Sequence, residues 1–527
     1  MDRFTFNLAT DRWIPCTMKD GTSAELSLVQ VFSVSDDIID IVDPNPLVKV
    51  SITRLLLAIV HRCIQTVGFV DLDRVWNQNE WASEKMIDYL DRWKDRFDIF
   101  DTNRPFFQIS GFAGEPTTIS KLAFEMASGN NPTLFDHSID ERPKSVSPAT
   151  AARLLLYNQT FNLSAGKSMT GHTKDALISR CAVVIIKGRN LTETLKLNLI
   201  PYDPSRPMMS LGSNIGSPGG SDLPLWERDD EVAGTSRYAN GYLDVLTWPS
   251  RCIRLVPEES GGRLFVSKAY FSQGVHLLDD NIHDPMVPYL LNQEENSTYG
   301  MRLSNDKAVW RSLDSLLMAG KTSHTSYNVT KLHELVQNGI ISIGVIGENI
   351  DLFVSGLISP GQAKIENWIS STIPIPYKLL KEKTVREMAL KGLDAANNAA
   401  HILRLSSFVF ASELIKKGKE GKADPQLVND FLKASNVIQD YWASMELPYL
   451  QLMNDLGSTD DPRETVKIWA VERVRCISLY SLERMMEMNC NGATGLRAAV
   501  IARRHFFKKL GIGTETREGD ISAAGNG

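Results

Sequence analysis

Three stretches of the chain carry side chains whose types and spacing could do chemistry. Ser164-Ala165-Gly166-Lys167-Ser168 ends like a phosphate-binding loop, where backbone N–H groups cradle a polyphosphate and a lysine reaches its terminal group. The full pattern needs a glycine where Phe161 stands, so the cradle lacks its opening turn. The polar 129–148 loop sets Asp136, Asp140 and Glu141 around His137, a composition for a metal or an acid–base pair, although no ligand spacing stands out. The third stretch is Leu352 to Trp368. The apolar run Leu352-Phe353-Val354 enters a turn built from Gly356, Pro360 and Gly361, followed by Gln362 and Ala363. Gln carries donors and an acceptor without charge. At a turn tip it suits reading or wedging a polar partner such as a base pair. Ile365 and Trp368, at helix-like spacing, equally suit an ordinary strand-turn-helix corner.

Nothing else points to catalysis. There is no H-E-x-x-H, no nucleophile elbow and no carboxylate spacing for a two-metal nuclease, and the histidines are scattered. With 527 residues the chain exceeds what one core usually supports. A net charge of −6 and a pI of about 5.9 exclude bulk electrostatic coating of nucleic acid, leaving local patches for any such contact. Six cysteines without a CxxC pair read as reduced thiols in a cytoplasmic protein. The longest apolar run, Leu55 to Val60, stops at His61-Arg62, far short of a membrane span.

The elements that must hold these stretches follow from periodicity. Phe4, Phe6 and Leu8 alternate as in a strand that ends at Trp13-Ile14-Pro15, and Lys19-Asp20-Gly21 is a hairpin turn signal. Helices are expected over 48–63 with Leu55, Leu56, Ile59 and Val60 near one face, over 80–97, and over 119–126. Ser147-Pro148 starts another that runs to Phe161. Cys181–Ile186 reads as a buried strand, and Cys252, Ile253 and Leu255 belong to later strands. Beyond Pro376 four helices are expected, 382–416, 425–452, 462–487 and 493–510. The fold class expected is therefore α+β: a mixed domain over 1–375, a four-helix bundle over 376–512 and a polar tail over 513–527.

Two basic regions stand out. Lys167, Lys174, Arg180, Lys187, Arg189, Lys196 and Arg206 outnumber the acids in their segment, as a phosphate contact or a solvated face would require. Arg497, Arg503, Arg504, Lys508 and Lys509 have no acid nearby in sequence. They suit either a nucleic-acid strand or the negative end of their helix.

Several ordered motifs carry a resemblance. Phe6-Asn7-Leu8, Asp11, Trp13-Ile14-Pro15, Asp20-Gly21 and Ser27-Leu28 resemble the start of the CasA family, the large subunit of the type I-E CRISPR surveillance complex Cascade. Arg104-Pro105-Phe106-Phe107-Gln108 and Gly188 with Leu191 to Leu199 are similar to later family segments. The resemblance implies a non-catalytic subunit without cofactor. Its partners would be the other Cascade subunits, a guide RNA, double-stranded target DNA and a recruited helicase–nuclease. It implies that Gln362, with Gly361 and Ala363, wedges beside the motif flanking the target, where the best-known member has Asn in place of Gly361. Ser164, Ala165, Gly166 and Lys167 fall on a glycine-rich loop at the minor groove. Arg263 or Lys268 would stand for the family's lysine finger, in a region that here opens with Glu258 and Glu259. Phe135, or Leu134 in the alternative register, would insert at the guide's 5′ handle. The readings left open beside it are a nucleotide hydrolase using Lys167, a metal nuclease using Asp136, His137 and Asp140, and a purely structural scaffold.

Overall fold

Gly21, at φ +84°, closes the expected hairpin between β1 (Ile14–Met18) and β2 (Ser23–Leu26), and β3 (Ile38–Ile41) pairs with the other edge of β1. The computed structural model describes residues 4–64, 68–77, 81–108, 115–123, 145–164, 167–168, 171–201, 222–229, 234–278, 282–295, 297–317, 323–361, 364–416 and 421–510. Residues 4–8 form no strand, and Ile14-Pro15 opens one rather than ending one. The opening segment pairs only at a single antiparallel bridge, Asn7 with Asp98, where the Leu8 N–H meets the Phe97 carbonyl at 2.9 Å and the Ile99 N–H meets the Phe6 carbonyl at 3.1 Å; the Asp98 carboxylate adds bonds from the Thr5 hydroxyl at 2.6 Å and the Phe6 N–H at 3.1 Å.

Helix α1 (Pro46–Ile64) is buried from Leu47 through His61, not along one stripe as its pattern suggests. It is surrounded: α2 (Ser83–Arg92), α3 (Pro148–Phe161), α4 (Leu191–Asn198) and α5 (Tyr242–Leu246) all pack on it. Two of its charged residues are accordingly paired inside, Lys49 with Asp40 at 2.7 Å and Arg54 with Asp284 at 2.8 Å. The expected 80–97 helix is shorter, ending in a separate 3-10 turn at Lys94–Arg96, and Ile119–Leu122 is likewise a 3-10 turn. Helix α3 starts as expected, with the Ser147 hydroxyl accepting the Thr150 N–H at 3.1 Å.

The strands that matter for the site come next. The short pair β4 (Lys167–Ser168) and β5 (Gly171–His172) is antiparallel. The apolar strand β6 (Val183–Lys187) confirms the buried strand read there. The long hairpin β7 (Arg251–Ser260) and β8 (Arg263–Gln273) turns on Gly261 and Gly262. Their φ values of +60° and +72° are those of the tight turn that matches strand twist. Strands β9 (Asn349–Ile358) and β10 (Asn367–Pro376) complete a sheet in the order β10-β9-β6. Trp368 thus lies in a strand, not a helix. The run from Trp368 to Ile375 is rich in β-branched residues, which outweighs the two-residue helical spacing.

The chain divides into two units, Met1–Pro374 and Ile375–Gly527, and the described part of the second is mostly helical. Helix α6 (Lys383–Ile415) is its longest. The expected 425–452 helix is two, α7 (Pro425–Ser435) and α8 (Val437–Ser458), split by Asn436 at φ +50°. Asn tolerates this left-handed conformation better than most residues. Helix α8 runs on through Pro448 instead of stopping at 452. The third expected helix is α9 (Pro462–Trp469) and α10 (Arg475–Asn489), joined by a π turn at Ala470–Val474, and α11 (Gly492–Lys509) follows.

Candidate nucleic-acid interface

Arg251, 1% exposed at the first position of β7, organises the site. Its guanidinium donates to Asn162 Oδ1 (3.2 Å) and to the carbonyls of Ser250 (2.8 Å), Asn162 (3.2 Å), Leu163 (3.0 Å) and Lys174 (2.6 Å). Its backbone exchanges two hydrogen bonds with the Gln159 amide, and Gln273 Oε1 at the end of β8 accepts the Lys174 N–H at 2.8 Å. Both ends of the 162–174 segment are therefore moored at the base of the β7–β8 hairpin. Burial pushes the guanidinium down to about 10, with Asp175 opposing, so it remains a cation at neutral pH.

A second chain of contacts leads from that segment to the Gln362 turn. Asp175 Oδ1 accepts the Ser164 N–H at 2.7 Å, and its Oδ2 accepts from Arg180 Nε at 2.5 Å. Arg180 Nη1 then donates to the Ser359 hydroxyl at 2.7 Å, just past the end of β9. Burial raises the Asp175 carboxyl, but the Arg180 and Ser164 hydrogen bonds outweigh it and hold the group below the usual carboxylate range. Two residues beyond Ser359 the exposed Gly361 has φ +140°, a backbone conformation that favours glycine, and it bridges to Lys364. That explains why glycine precedes Gln362 here. Gln362 and Ala363 themselves lie outside the described residues. Replacing Arg180 with Ala is expected to cut Ser164 loose. Hydrogen exchange at the Ser164 amide should accelerate roughly tenfold, equivalent to about 1.4 kcal/mol of local opening.

The third arm is the β7–β8 hairpin, since β8 packs against both β4 and β5. Arg263 is exposed immediately after the Gly261-Gly262 tip. Lys268 is also exposed but lies mid-strand, its backbone paired with Thr118 next to a bulge between Val266 and Lys268. Lys167 stands in an antiparallel strand and not before a helix, so the strand-loop-helix setting of a nucleotide-binding loop is missing. Ala165, Gly166, Leu134, Phe135, Asp136, His137 and Asp140 lie outside the described residues. Among the described residues no group of three or more His, Cys, Asp or Glu is placed to hold a metal.

Both basic regions change character. Besides Arg180 with Asp175, Lys187 pairs with Asp40 at 2.7 Å and Arg189 with Glu193 at 2.7 Å, while Lys196 lies over the Trp76 and Trp81 rings. Three of the segment's seven cations are thus paired with acids. On α11 the absence of nearby acids is corrected too. Arg497 meets Glu413 at 3.3 Å, and Arg503 is bidentate on Glu483, both acids coming from other helices. Arg504 and Lys508 are exposed. What sequence reasoning missed is the supporting frame, Arg251, Gln159 and the Asp175–Arg180 pair. Its one trace is an arginine immediately before the apolar pair Cys252-Ile253.

An α+β platform bearing three convergent loop elements, followed by a helical unit, is the class of protein this architecture defines. The chain belongs to the CRISPR-associated Cse1 family, whose model matches residues 7–476. The CasA/Cse1 protein of Thermus thermophilus is 29% identical, over 97% of this chain and 99% of its own. A crystal structure of Thermus thermophilus CasA superposes with a TM-score of 0.80 at 26% identity, covering 96% of this chain and 100% of that one. A chain from a structure of a CRISPR RNA-guided surveillance complex shares the fold at 17% identity, with a TM-score of 0.74 over 95% of this chain and 99% of that one. No described helix is long and apolar enough to cross a membrane.

Proposed function

We propose that this chain is the non-catalytic large subunit of a cytoplasmic CRISPR RNA-guided surveillance complex. It reads a short motif flanking the target in double-stranded DNA, starts duplex opening and helps recruit the helicase–nuclease. Guide RNA reads the target itself, the division of labour of RNA-guided effectors. The observation that supports this reading is the tie from Ser164 through Asp175 and Arg180 to Ser359, which links the start of the 164–167 stretch to the end of the strand that leads towards Gln362. Family membership and the likeness to a surveillance-complex chain support it. In this reading Gln362, with Gly361 and Ala363, is the wedge. Ser164 to Lys167 approach the minor groove, and Arg263, at the hairpin tip, is the cationic finger in preference to Lys268. Phe135, or Leu134 in the alternative register, contacts the guide handle. Arg504 and Lys508 supply the strand-backbone patch, with Arg497 and Arg503 held partly by their acids.

The test is a gel shift of the reconstituted guide-RNA complex, with and without this chain, on duplexes differing only in the three base pairs flanking the target. Discrimination conferred by the chain and abolished by Gln362→Ala is the expected result. Tight, motif-blind binding with either chain would mark it as a scaffold.

A further inference from the structure

Residues 300–303 have no part in the site above, yet they lie against the strands that lead to it. The Met301 carbonyl accepts the Ala182 N–H at 2.7 Å, just before β6. Gly300 packs on Cys181 so closely that an added Cβ would come within 2.3 Å of its Sγ. Gly356, near the end of β9, faces the Cys181 carbonyl and Leu303, at 2.9 and 3.2 Å from an added Cβ. Glycine at both positions lets the segment lie close on the β6–β9 pair, and that packing fixes where the chain emerges beyond it.

After Leu303 the chain turns back. Ser304 bridges to Lys307, and the Ser304 hydroxyl accepts the Asp306 N–H at 3.1 Å. The Gly361–Lys364 bridge is a turn of the same kind: in each, the lysine N–H meets the carbonyl three residues back at 3.4 Å. The two turns are neighbours, since Asn367 Nδ2, at the start of β10, lies 3.5 Å from Asn305 Oδ1. Each brings one exposed cation, Arg302 ahead of the first turn and Lys364 closing the second. Neither side chain has an ion pair among the described residues, and the acids nearest them in sequence, Asp306 and Glu366, pair with neither. Arg180, Lys187 and Arg189, by contrast, are all held by carboxylates.

We infer that Arg302 and Lys364, one from each turn, form a two-point phosphate clamp for the duplex that bears the flanking motif. The inference deepens the proposed function and rests on its placing of duplex DNA at the Gln362 turn. Through its bridge Lys364 stands opposite Gly361, two residues from Gln362 in sequence. Reading a base edge needs a fork held in place by partners, and these two side chains have none among the described residues. A phosphate accepts a cation from many angles, and contacts to it fix register without carrying sequence. Two such contacts from separate turns fix the direction of the duplex as well as its distance. Both cations project from turns, where they can reach the outer surface of a stiff duplex.

The test measures duplex binding by the reconstituted guide-RNA complex across a salt series, on two duplexes that differ only in the three flanking base pairs. Lys364→Gln and Arg302→Gln are each expected to weaken both duplexes by the same factor, roughly three- to tenfold, and to lower the salt slope by about one. The double variant should lower it by about two. Lys364→Arg and Arg302→Lys, which keep the charge, should keep the slope. The affinity ratio between the two duplexes stays as in the unaltered complex, and denaturant midpoints hold because both side chains are exposed. Gln362→Ala has the opposite signature, a lost ratio with the slope unchanged. The clamp is overturned if the double variant keeps affinity and slope, if either single variant changes the ratio, or if either loses assembly with the guide RNA before DNA is added. A Gln362→Ala complex that keeps its ratio overturns the motif-reading assignment and not the clamp, so the two fail separately.

Discussion

An Arg251→Met chain is expected to lose about 3 to 5 kcal/mol of stability in the 1–374 unit and, with it, motif discrimination. The guanidinium serves five acceptors, four of them backbone carbonyls. Met fills the volume of the aliphatic stem but leaves those oxygens without a donor, at about 1 to 3 kcal/mol for each that stays buried. Some regain water, which keeps the total below the sum. The paired bonds to Gln159 come from the Arg251 backbone and survive the change, so the hairpin keeps its register. What is lost is the mooring of 162–163 and 174. Arg251→Lys should recover only part of the stability, because an ammonium has three donors and no planar fork. With two units the unfolding is not two-state. The measurement is therefore hydrogen exchange across 159–175 together with the denaturant midpoint. Unchanged protection there would show that the loop is held by something other than Arg251.

Legibility followed sequence distance. Contacts within a few residues were readable: the Gly21 turn, the Ser147 cap and the strand near Val183 to Ile186 all form where their local chemistry puts them. The reading failed where a distant group outvoted a local pattern. Residues 4–8 alternate like a strand, but their pairing stops at one antiparallel bridge, Asn7 with Asp98, and the Asp98 carboxylate takes the Phe6 N–H. Trp368 and Ile365 have helical spacing, but β9 offers a ready edge. Asn436 looks like any helix residue until its φ is known.

The candidate site divides the same way. Of the turn expected before Gln362, the bend at Pro360 and Gly361 was legible because glycine and proline act locally, whereas Gly356, read as part of it, lies inside β9. The frame was not, since Arg251 gathers carbonyls from 77 to 89 residues away and Arg180 reaches Ser359 across 179. Charge was the least legible property. Counting acids along the chain left Arg497 and Arg503 without partners, whereas Glu413 and Glu483 arrive from other helices. Family resemblance helped because it carries long-range pairing that periodicity does not contain.

Stability is expected to peak near pH 8 and to fall on both sides, for reasons that lie around α1. His61 is fully buried, edge-on to Tyr242 at 5.1 Å, and neither ring nitrogen has a hydrogen-bond partner among the described residues. Burial, and then the Lys331 charge, pushes it down to about 3. Unfolded, it would titrate near about 6.5. Below that pH the unfolded chain binds a proton that the folded chain refuses, so acid destabilises. Going from pH 7 to pH 5 costs about 2 kcal/mol through this ring alone. His283, stacked on Tyr289 and pushed down to about 4 by burial and His324, adds in the same direction.

Lys331 extends the trend upward. Its buried amine donates to the carbonyls of Leu197 and Leu199, two acceptors that suit the two N–H bonds of a neutral amine. Burial pushes it down to about 7, against about 10.4 unfolded, so stability keeps rising with pH above 7. The rise ends when four thiols intervene. Cys16, Cys63, Cys181 and Cys252 are pushed up to about 12, chiefly by burial. Above about 8.5 the unfolded thiols ionise while the folded ones cannot, and stability turns down. Denaturant midpoints at pH 5, 7 and 8.5 check this. His61→Leu should remove about 2 kcal/mol of the acid loss, and Lys331→Met should flatten the step from 7 to 8.5. Because the Lys331 charge is the lesser of the two causes that depress His61, the double variant should change the profile by less than the two single changes combined. A Lys331→Met chain that keeps the full upward step would mean the folded ammonium is charged at pH 8, with a counter-charge other than these two carbonyls.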